Sequence, residues 1–159
     1  MKAPADGCRP CRGHPPATRW RPIRHGAPGG DVGYASAMNL NTDERDLLAR
    51  AEEVTIETTS SSGVLHKTII WIVVDGEDVF VRSVNGDGAR WYREAVDHPD
   101  VGFHVGGTRI AARVVAAADP GSVARCSAAL RVKYASDAAL RSMLRPHTLA
   151  TTLRVLASA

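Results

Sequence analysis

The longest apolar stretch of the chain covers residues 69–74, where six hydrophobic residues follow one another. Because no position is polar, both faces of a strand formed here need to be covered, and alternation cannot fix its register. A polar turn containing Asp75-Gly76 separates this stretch from residues 78–83, where Val79 and Val81 share one face. Two β-forming stretches around an Asp-Gly turn predict a β-hairpin.

The rest of the chain predicts further strands between short helices. Asn41 is a suitable helix cap with Glu44 three residues later, and Asp119-Pro120 is a second helix start. The predicted helices cover residues 41–52, 89–96, 120–134 and 136–144, and the additional strands cover 54–59, 101–105, 109–117 and 150–156. Helices between hairpins favour an α+β fold with a six-stranded, mostly antiparallel sheet closed as a small barrel.

Residues 1–37 differ in composition from the rest of the chain. They hold six of the nine prolines and six of the fourteen glycines, and they contain few aliphatic residues. Such a segment cannot bury enough apolar surface to fold, so we expect a disordered tail or a mis-called start before Met38. Cys8, Cys11 and His14 lie in this segment without a fourth ligand in range, which does not predict a zinc site. The expected folded domain is residues 38–159.

The basic character of the chain also belongs to this segment. Residues 1–37 carry six basic and two acidic side chains, and their balance of +4, subtracted from the chain total of +3, leaves −1 for residues 38–159. A nearly neutral domain does not favour binding to nucleic acid. The absence of a long apolar run, a secretory signal or a disulfide framework predicts a cytoplasmic protein that does not enter a membrane.

The open ends of the predicted hairpin carry the best candidate chemistry. His66, Lys67 and Thr68 precede its first strand, while Arg82 and Ser83 end its second. In a hairpin these ends are neighbours, so three potential cations and two hydroxyls would meet and could bind a phosphate. The alternative is a set of solvent-facing residues at strand ends. His66 has no acidic partner at a recognisable spacing, which favours an exposed histidine over a general acid or base.

The other candidate residues have a structural interpretation as well as a functional one. Trp91 can form an aromatic wall against a planar ring, or it can anchor its short helix to the sheet. Cys126 lies within a predicted helix without an evident base, as expected of a buried, unreactive thiol. No nucleophile–base pair, metal motif or phosphate-binding loop is recognisable, so any redox chemistry would require an organic cofactor.

Six short motifs carry a resemblance to known proteins: Ile70-Trp71-Ile72-Val73-Val74, Val81-Arg82-Ser83, Arg90-Trp91-Tyr92-Arg93, Val105-Gly106-Gly107, Lys133-Tyr134 and Thr151-Thr152-Leu153-Arg154. With the order of elements, they resemble the split β-barrel superfamily, which includes pyridoxamine-phosphate oxidases and flavin- and deazaflavin-dependent oxidoreductases. More closely, residues 40–156 are similar to an uncharacterised bacterial family within that superfamily.

The resemblance implies an FMN-binding split barrel-like fold and a homodimer, with a flavin or deazaflavin ring in a groove at the dimer interface. It places Lys67, Thr68, Arg82 and Ser83 around the cofactor phosphate, and Trp91 where the deazaflavin branch has a helix tryptophan. With His66, these are the expected cofactor-binding residues. The loop Ser61-Ser62-Gly63 departs from the deazaflavin branch because it lacks the basic residues common there.

Two functions follow from the resemblance. The first is an oxidoreductase that uses a deazaflavin coenzyme or FMN to transfer a hydride to or from a small organic substrate. The second is a non-catalytic dimeric barrel that has lost the redox cofactor and binds another ligand. Converging Lys67, Thr68, Arg82 and Ser83 side chains would favour the first function. A groove filled by Trp91 or by the partner subunit would favour the second.

Overall fold

The computed structural model describes residues 38–159, so the predictions made for residues 1–37 lie outside the described part of the chain. The helices are α1 (Thr42–Arg50), α2 (Arg90–Asp97), α3 (Pro120–Lys133), α4 (Leu140–Met143) and α5 (Pro146–Leu149), with a 3-10 turn at Gly86–Gly88. The strands are β1 (Val54–Thr59), β2 (Leu65–Ile70), β3 (Ile72–Asp75), β4 (Asp78–Val81), β5 (Asp100–Val105), β6 (Thr108–Ala116) and β7 (Leu153–Ala157).

The strands form one curled, antiparallel sheet in the order β2-β1-β5-β6-β7-β4-β3. Strands β2 and β3 lie at opposite ends of this order, although only Trp71 separates them in the chain. The chain therefore crosses from one end of the sheet to the other at this residue. The predicted α+β fold with a curled antiparallel sheet is confirmed, with seven strands where six were expected.

The seventh strand arises because the predicted strand 69–74 is divided at Trp71. Its second part forms the predicted hairpin, in which Ile72 pairs with Val81 and Asp75 with Asp78 around Gly76 at φ 62°. Its first part belongs to β2, which pairs with β1 and not with β4. The prediction that residues 66–68 lie beside Arg82 and Ser83 along one hairpin is therefore wrong.

Two hydrophobic clusters lie on opposite faces of the sheet. The inner cluster fills the barrel and includes Ile56, Ile72, Val79 and Phe103. The outer cluster packs α3 against β3 and β4, with these members: Val73, Phe80, Cys126, Leu130 and Tyr134. Successive residues of β3 and β4 alternate between the two clusters, as expected where a sheet is buried on both faces.

The outer face of the sheet is covered over only part of its width. We call the outer face of β3, β4 and β7 the covered half, because α3 packs on β3 and β4 there. We call the outer face of β2, β1, β5 and β6 the bare half. There Leu65 and Ile69 remain 60% and 66% exposed, and Arg109 and Arg113 are also exposed.

The helix ends follow local signals in the sequence. The Asn41 side chain accepts the N–H of Glu44 at 2.9 Å, and the Glu44 carboxylate accepts the N–H of Asn41 at 3.0 Å. Asp119 caps α3 through the N–H of Ser122 at 2.9 Å. The predicted helix 136–144 is shorter than expected and is followed by α5, so the last strand begins at Leu153 and not near residue 150.

Within residues 38–159, no helix combines the length and the apolar character needed to cross a membrane.

Candidate functional site

A cavity of about 360 Å³ opens where the two ends of the sheet separate. We call it the tryptophan cavity. Its wall includes Thr68 and Ile70 of β2, the linking residue Trp71, Trp91 of α2 and Met143 of α4. The segment after β4 closes another side with Val84 and Asn85. The division of the apolar stretch at Trp71 thus creates both the seventh strand and the cavity beside it.

The two tryptophans are held in place by neighbouring aromatic rings. Trp71 stacks on Tyr134, the residue that follows α3, with ring centroids 3.9 Å apart and planes inclined by 6°. The Tyr134 hydroxyl donates a hydrogen bond of 2.6 Å to the carbonyl of Glu52, which fixes that ring in turn. Trp91 is 6% exposed and meets Tyr92 edge to face at 6.1 Å. The cavity therefore has two fixed aromatic surfaces, which suit a flat ligand.

Arg82 lines the cavity, and most of the hydrogen-bond donors of its guanidinium are used within the protein. The residue is 1% exposed. It donates hydrogen bonds to Thr152 Oγ1 at 2.9 Å, Ser127 Oγ at 2.9 Å, the Met143 carbonyl at 3.2 Å and the Val123 carbonyl at 3.1 Å. These bonds use four of the five N–H donors of an arginine. Burial lowers the pKa of Arg82, and no carboxylate pairs with it within residues 38–159.

Ser83 and Lys67 lie away from the cavity wall. Ser83 is buried, and its N–H donates to Thr151 Oγ1 at 3.1 Å, while its own hydroxyl has no partner among the described residues. Lys67 is exposed on the bare half, in register with Glu57 of β1. Of the expected phosphate-binding residues, Thr68 and Arg82 therefore reach the cavity, whereas Lys67 and Ser83 do not.

His66 has an acidic partner that the sequence spacing did not indicate. Its Nδ1 lies 2.7 Å from Glu94 Oε1, and Thr58 Oγ1 donates to Glu94 Oε2 at 2.6 Å. Burial favours the neutral carboxyl, but the hydrogen bonds from Thr58 and His66 outweigh it and hold the pKa of Glu94 below its ordinary value. The interpretation of His66 as a histidine without an acidic partner is wrong. The sequence does not show that α2 lies across the β1–β2 hairpin, which is what brings Glu94 to His66.

The charge at the mouth of the cavity is mainly negative. Glu53 and Asp137 both line it and are exposed, whereas Arg82 is the single cation among its described lining residues. Lys133 is close by, in an adjoining cavity of about 160 Å³ that shares Glu53, Trp71 and Asp137. Its ammonium donates to the carbonyls of Ile72 at 2.7 Å and Leu48 at 3.2 Å, and burial lowers its pKa to about 8.

A second polar cluster lies on the bare half. Arg109 Nε and Nη2 donate to Glu57 Oε1 at 3.1 and 2.9 Å, and His104 Nε2 lies 2.9 Å from Glu57 Oε2. The hydrogen bonds from Arg109 and then His104 lower the pKa of Glu57. The guanidinium lies flat over Gly102, where a Cβ atom would approach it to 2.8 Å. Residues 38–159 contain no group of three or more His, Cys, Asp or Glu side chains arranged to hold a metal ion.

Solved structures with the same fold come from several bacteria. A conserved hypothetical protein of Mycobacterium tuberculosis has a TM-score of 0.55 at 15% identity, over 78% of this chain and 83% of that one. HutZ, the haem storage protein of Vibrio cholerae, has a TM-score of 0.53 at 12% identity, over 77% and 92%. A Listeria innocua structure named for the pyridoxamine 5′-phosphate oxidases has a TM-score of 0.50 at 11% identity, over 72% and 88%.

At these identities the structures share a fold with this chain, and that fold is the split β-barrel of the pyridoxamine-phosphate-oxidase-like proteins, as the sequence motifs implied. No functionally curated protein matches the sequence. The profile of a family described as uncharacterized proteins conserved in bacteria, DUF2255, matches residues 44–155. This match spans most of the barrel, and the chain therefore belongs to the bacterial family DUF2255.

Proposed function

We propose that this protein is a ligand-binding split barrel that takes a planar organic molecule into the tryptophan cavity. The observation that carries the proposal is the pair of fixed aromatic surfaces, Trp71 and Trp91, on one cavity of about 360 Å³. This volume lies within the range of small-molecule sites, which are mostly apolar with a few polar groups. The Thr68 hydroxyl and the Asn85 amide supply such groups at the wall.

A phosphorylated flavin fits this cavity only in part. Its flat ring suits the aromatic wall formed with Ile70 and Met143. Its phosphate needs free N–H donors or cations, and four of the five Arg82 donors are already used by protein acceptors. The exposed carboxylates of Glu53 and Asp137 would repel a phosphate at the mouth. The residues of this chain therefore match the ring and do not match the phosphate, which favours binding without the redox cofactor.

A second candidate function is hydride transfer with a deazaflavin coenzyme or FMN, on a small organic substrate. One observation favours it: Thr68, Arg82 and Trp91, three of the residues expected from the resemblance, line the same cavity. The hydride chemistry would belong to the cofactor, and the protein would bind and orient it. This candidate requires FMN to bind more tightly than riboflavin, which has the same ring and no phosphate.

A titration of the purified protein tests both candidates. Quenching of tryptophan fluorescence by riboflavin is expected to saturate in the micromolar range. Trp91→Leu is expected to weaken binding by about fivefold, as aromatic stacking contributes about 1 kcal/mol. Thr68→Val is a milder second variant, and Trp20→Phe controls for the loss of one fluorophore. Absence of binding by riboflavin and by FMN at millimolar concentration would refute the proposed function, and tighter binding of FMN would favour the second candidate.

We also propose that two copies pair through the bare half. Leu65 and Ile69 expose apolar side chains there, next to the charged cluster of Glu57 and Arg109, which offers both signs to a symmetric partner. A permanent interface would bury more than about 2,000 Å². Light scattering at low micromolar concentration is expected to give twice the chain mass of 17.0 kDa, and Leu65→Asp is expected to reduce it. A monomer under these conditions would contradict the dimer.

A further inference from the structure

We infer that the tryptophan cavity selects a flat aromatic ligand that carries a positive charge, such as a cationic nitrogen heterocycle. This inference rests on the proposed function and adds the charge of the ligand to it. Three features of the described residues support it: the unequal exposure of the carboxylates and the Arg82 guanidinium, the charge balance of the adjoining cavity and the free face of Trp71.

The first feature is the difference in exposure between the two signs of charge. Glu53 and Asp137 are exposed, so their charges act on a ligand as it enters. Arg82 is 1% exposed, and its guanidinium donates hydrogen bonds to surrounding hydroxyl and carbonyl oxygens. The two carboxylates outnumber this single guanidinium, so the described lining of the cavity has a net charge of −1, which attracts a cation.

The second feature is the adjoining cavity, whose charged side chains do not make the local net charge positive. It adds Glu52 and Lys133 to the shared residues, and so contributes one further group of each sign. The Lys133 ammonium is directed to the carbonyls of Ile72 and Leu48, and burial lowers its pKa to about 8. Above that pH the lysine is mostly neutral, and the local balance becomes more negative.

The third feature is the free face of Trp71. Tyr134 covers one face of its indole at a centroid distance of 3.9 Å, so a ligand in the cavity meets the opposite face. The face of an indole is the best cation–π surface among protein side chains. A flat cation can therefore stack on Trp71 while its charge stays within the field of the two carboxylates.

A series of ligands with one ring system and three charges tests this inference. The probes are N-methylacridinium, neutral acridine at pH 8 and acridine-9-carboxylate, each titrated by quenching of tryptophan fluorescence at low and high salt. We expect the cation to bind at least tenfold more tightly than the neutral ring, and the carboxylate to bind least. The advantage of the cation should shrink as salt is raised, because exposed carboxylates are screened.

Matched variants locate the charge preference in the cavity. Glu53→Gln and Asp137→Asn should each reduce the affinity for the cation by about three- to tenfold and leave that for neutral acridine unchanged. Glu77→Gln, an exposed acid at the β3–β4 turn, is the control and should change neither. Equal affinities for all three charges, or a preference for the carboxylate, would overturn the inference alone. Failure of all three acridines to bind would also overturn the inference, whereas the proposed function falls only if riboflavin and FMN fail to bind as well.

Discussion

The two halves of the outer sheet face accommodate apolar and arginine side chains in different ways. On the covered half, Val73 and Phe80 are buried beneath α3, and the nearby Arg82 is buried and donates to four hydrogen-bond acceptors. On the bare half, Arg109 remains half exposed and is neutralised by Glu57. A buried arginine without a carboxylate depends on many oriented dipoles, whereas an exposed one needs only a single counter-charge.

This difference shows why one apolar stretch can serve both halves. Residues 69–74 begin on the bare half, where Ile69 is exposed, and end on the covered half, where Val73 is buried. Trp71 joins the two parts and lines the tryptophan cavity between them. The uniform apolar character of the stretch thus reflects two different neighbours, α3 on one side and the proposed second copy on the other.

The largest expected difference between the halves concerns apolar side chains. Phe80→Ala on the covered half should lower the free energy of unfolding by about 3–5 kcal/mol, because it opens a cavity beneath α3. Leu65→Ala on the bare half should cost less than about 0.5 kcal/mol within one chain. Urea denaturation measures both values. A loss of several kcal/mol in Leu65→Ala that does not depend on protein concentration would show that the bare half is covered within the monomer.

The two arginines give the next largest difference. Arg82→Met removes the donor from two hydroxyls and two carbonyls, and buried acceptors left unpaired cost about 1–3 kcal/mol each. Since the hydroxyls can rotate to other partners, we expect a total loss of about 3 kcal/mol. Arg109→Met should cost about 1 kcal/mol, because His104 still contacts Glu57. Similar losses in both variants, measured by urea denaturation, would remove the distinction between the halves.

Local features of the fold could be predicted from the sequence because their signals are local. The Asp75-Gly76 turn fixes the β3–β4 hairpin, and the caps Asn41 and Asp119 fix the starts of two helices. The anchoring alternative for Trp91 could also be predicted, and the side chain packs in the inner cluster. Each of these features depends on residues within a few positions of one another.

The remaining features depend on distant residues and had no local signal. The stretch 69–74 has no polar position to mark the change of direction at Trp71, so the pairing of β2 with β1 could not be read from alternation. Glu94 lies 28 residues from His66, and the acceptors of Arg82 lie 41 to 70 residues away from it. These contacts exist only after the sheet has curled and the helices have packed on it.

On the bare half, acid should act through Glu57. Its pKa is lowered from 4.5, so its pairing with Arg109 and His104 stabilises the fold above pH 4.5 and is lost as pH falls through the lowered value. Glu57→Gln should therefore cost about 1 kcal/mol at pH 7 and progressively less in the acid range. The exposed variant Glu77→Gln is the control, with no such change expected. A difference between wild type and Glu57→Gln that persists unchanged at pH 3 would contradict the assignment.

Alkali should act on the covered half, through Lys133, with the smallest effect. Burial lowers its pKa from 10.5 to about 8. Between these values the unfolded chain keeps a proton that the folded chain has lost, so this group makes the free energy of unfolding rise with pH. Lys133→Met removes that rise, and the stability of the wild type relative to the variant should increase by under about 1 kcal/mol from pH 8 upwards.

The comparison with Lys133→Met isolates this lysine from the other groups that titrate in alkali. Burial raises the pKa of Cys126 to about 11 and that of Tyr134 to about 12. Both groups retain a proton in the folded chain that the unfolded chain loses, so they lower stability at high pH in both proteins and cancel in the difference. Paired urea titrations from pH 7 to pH 9.5 measure the difference in the free energy of unfolding between the wild type and Lys133→Met. A stability difference that does not change over that range would mean that the Lys133 ammonium keeps its charge between the carbonyls of Ile72 and Leu48.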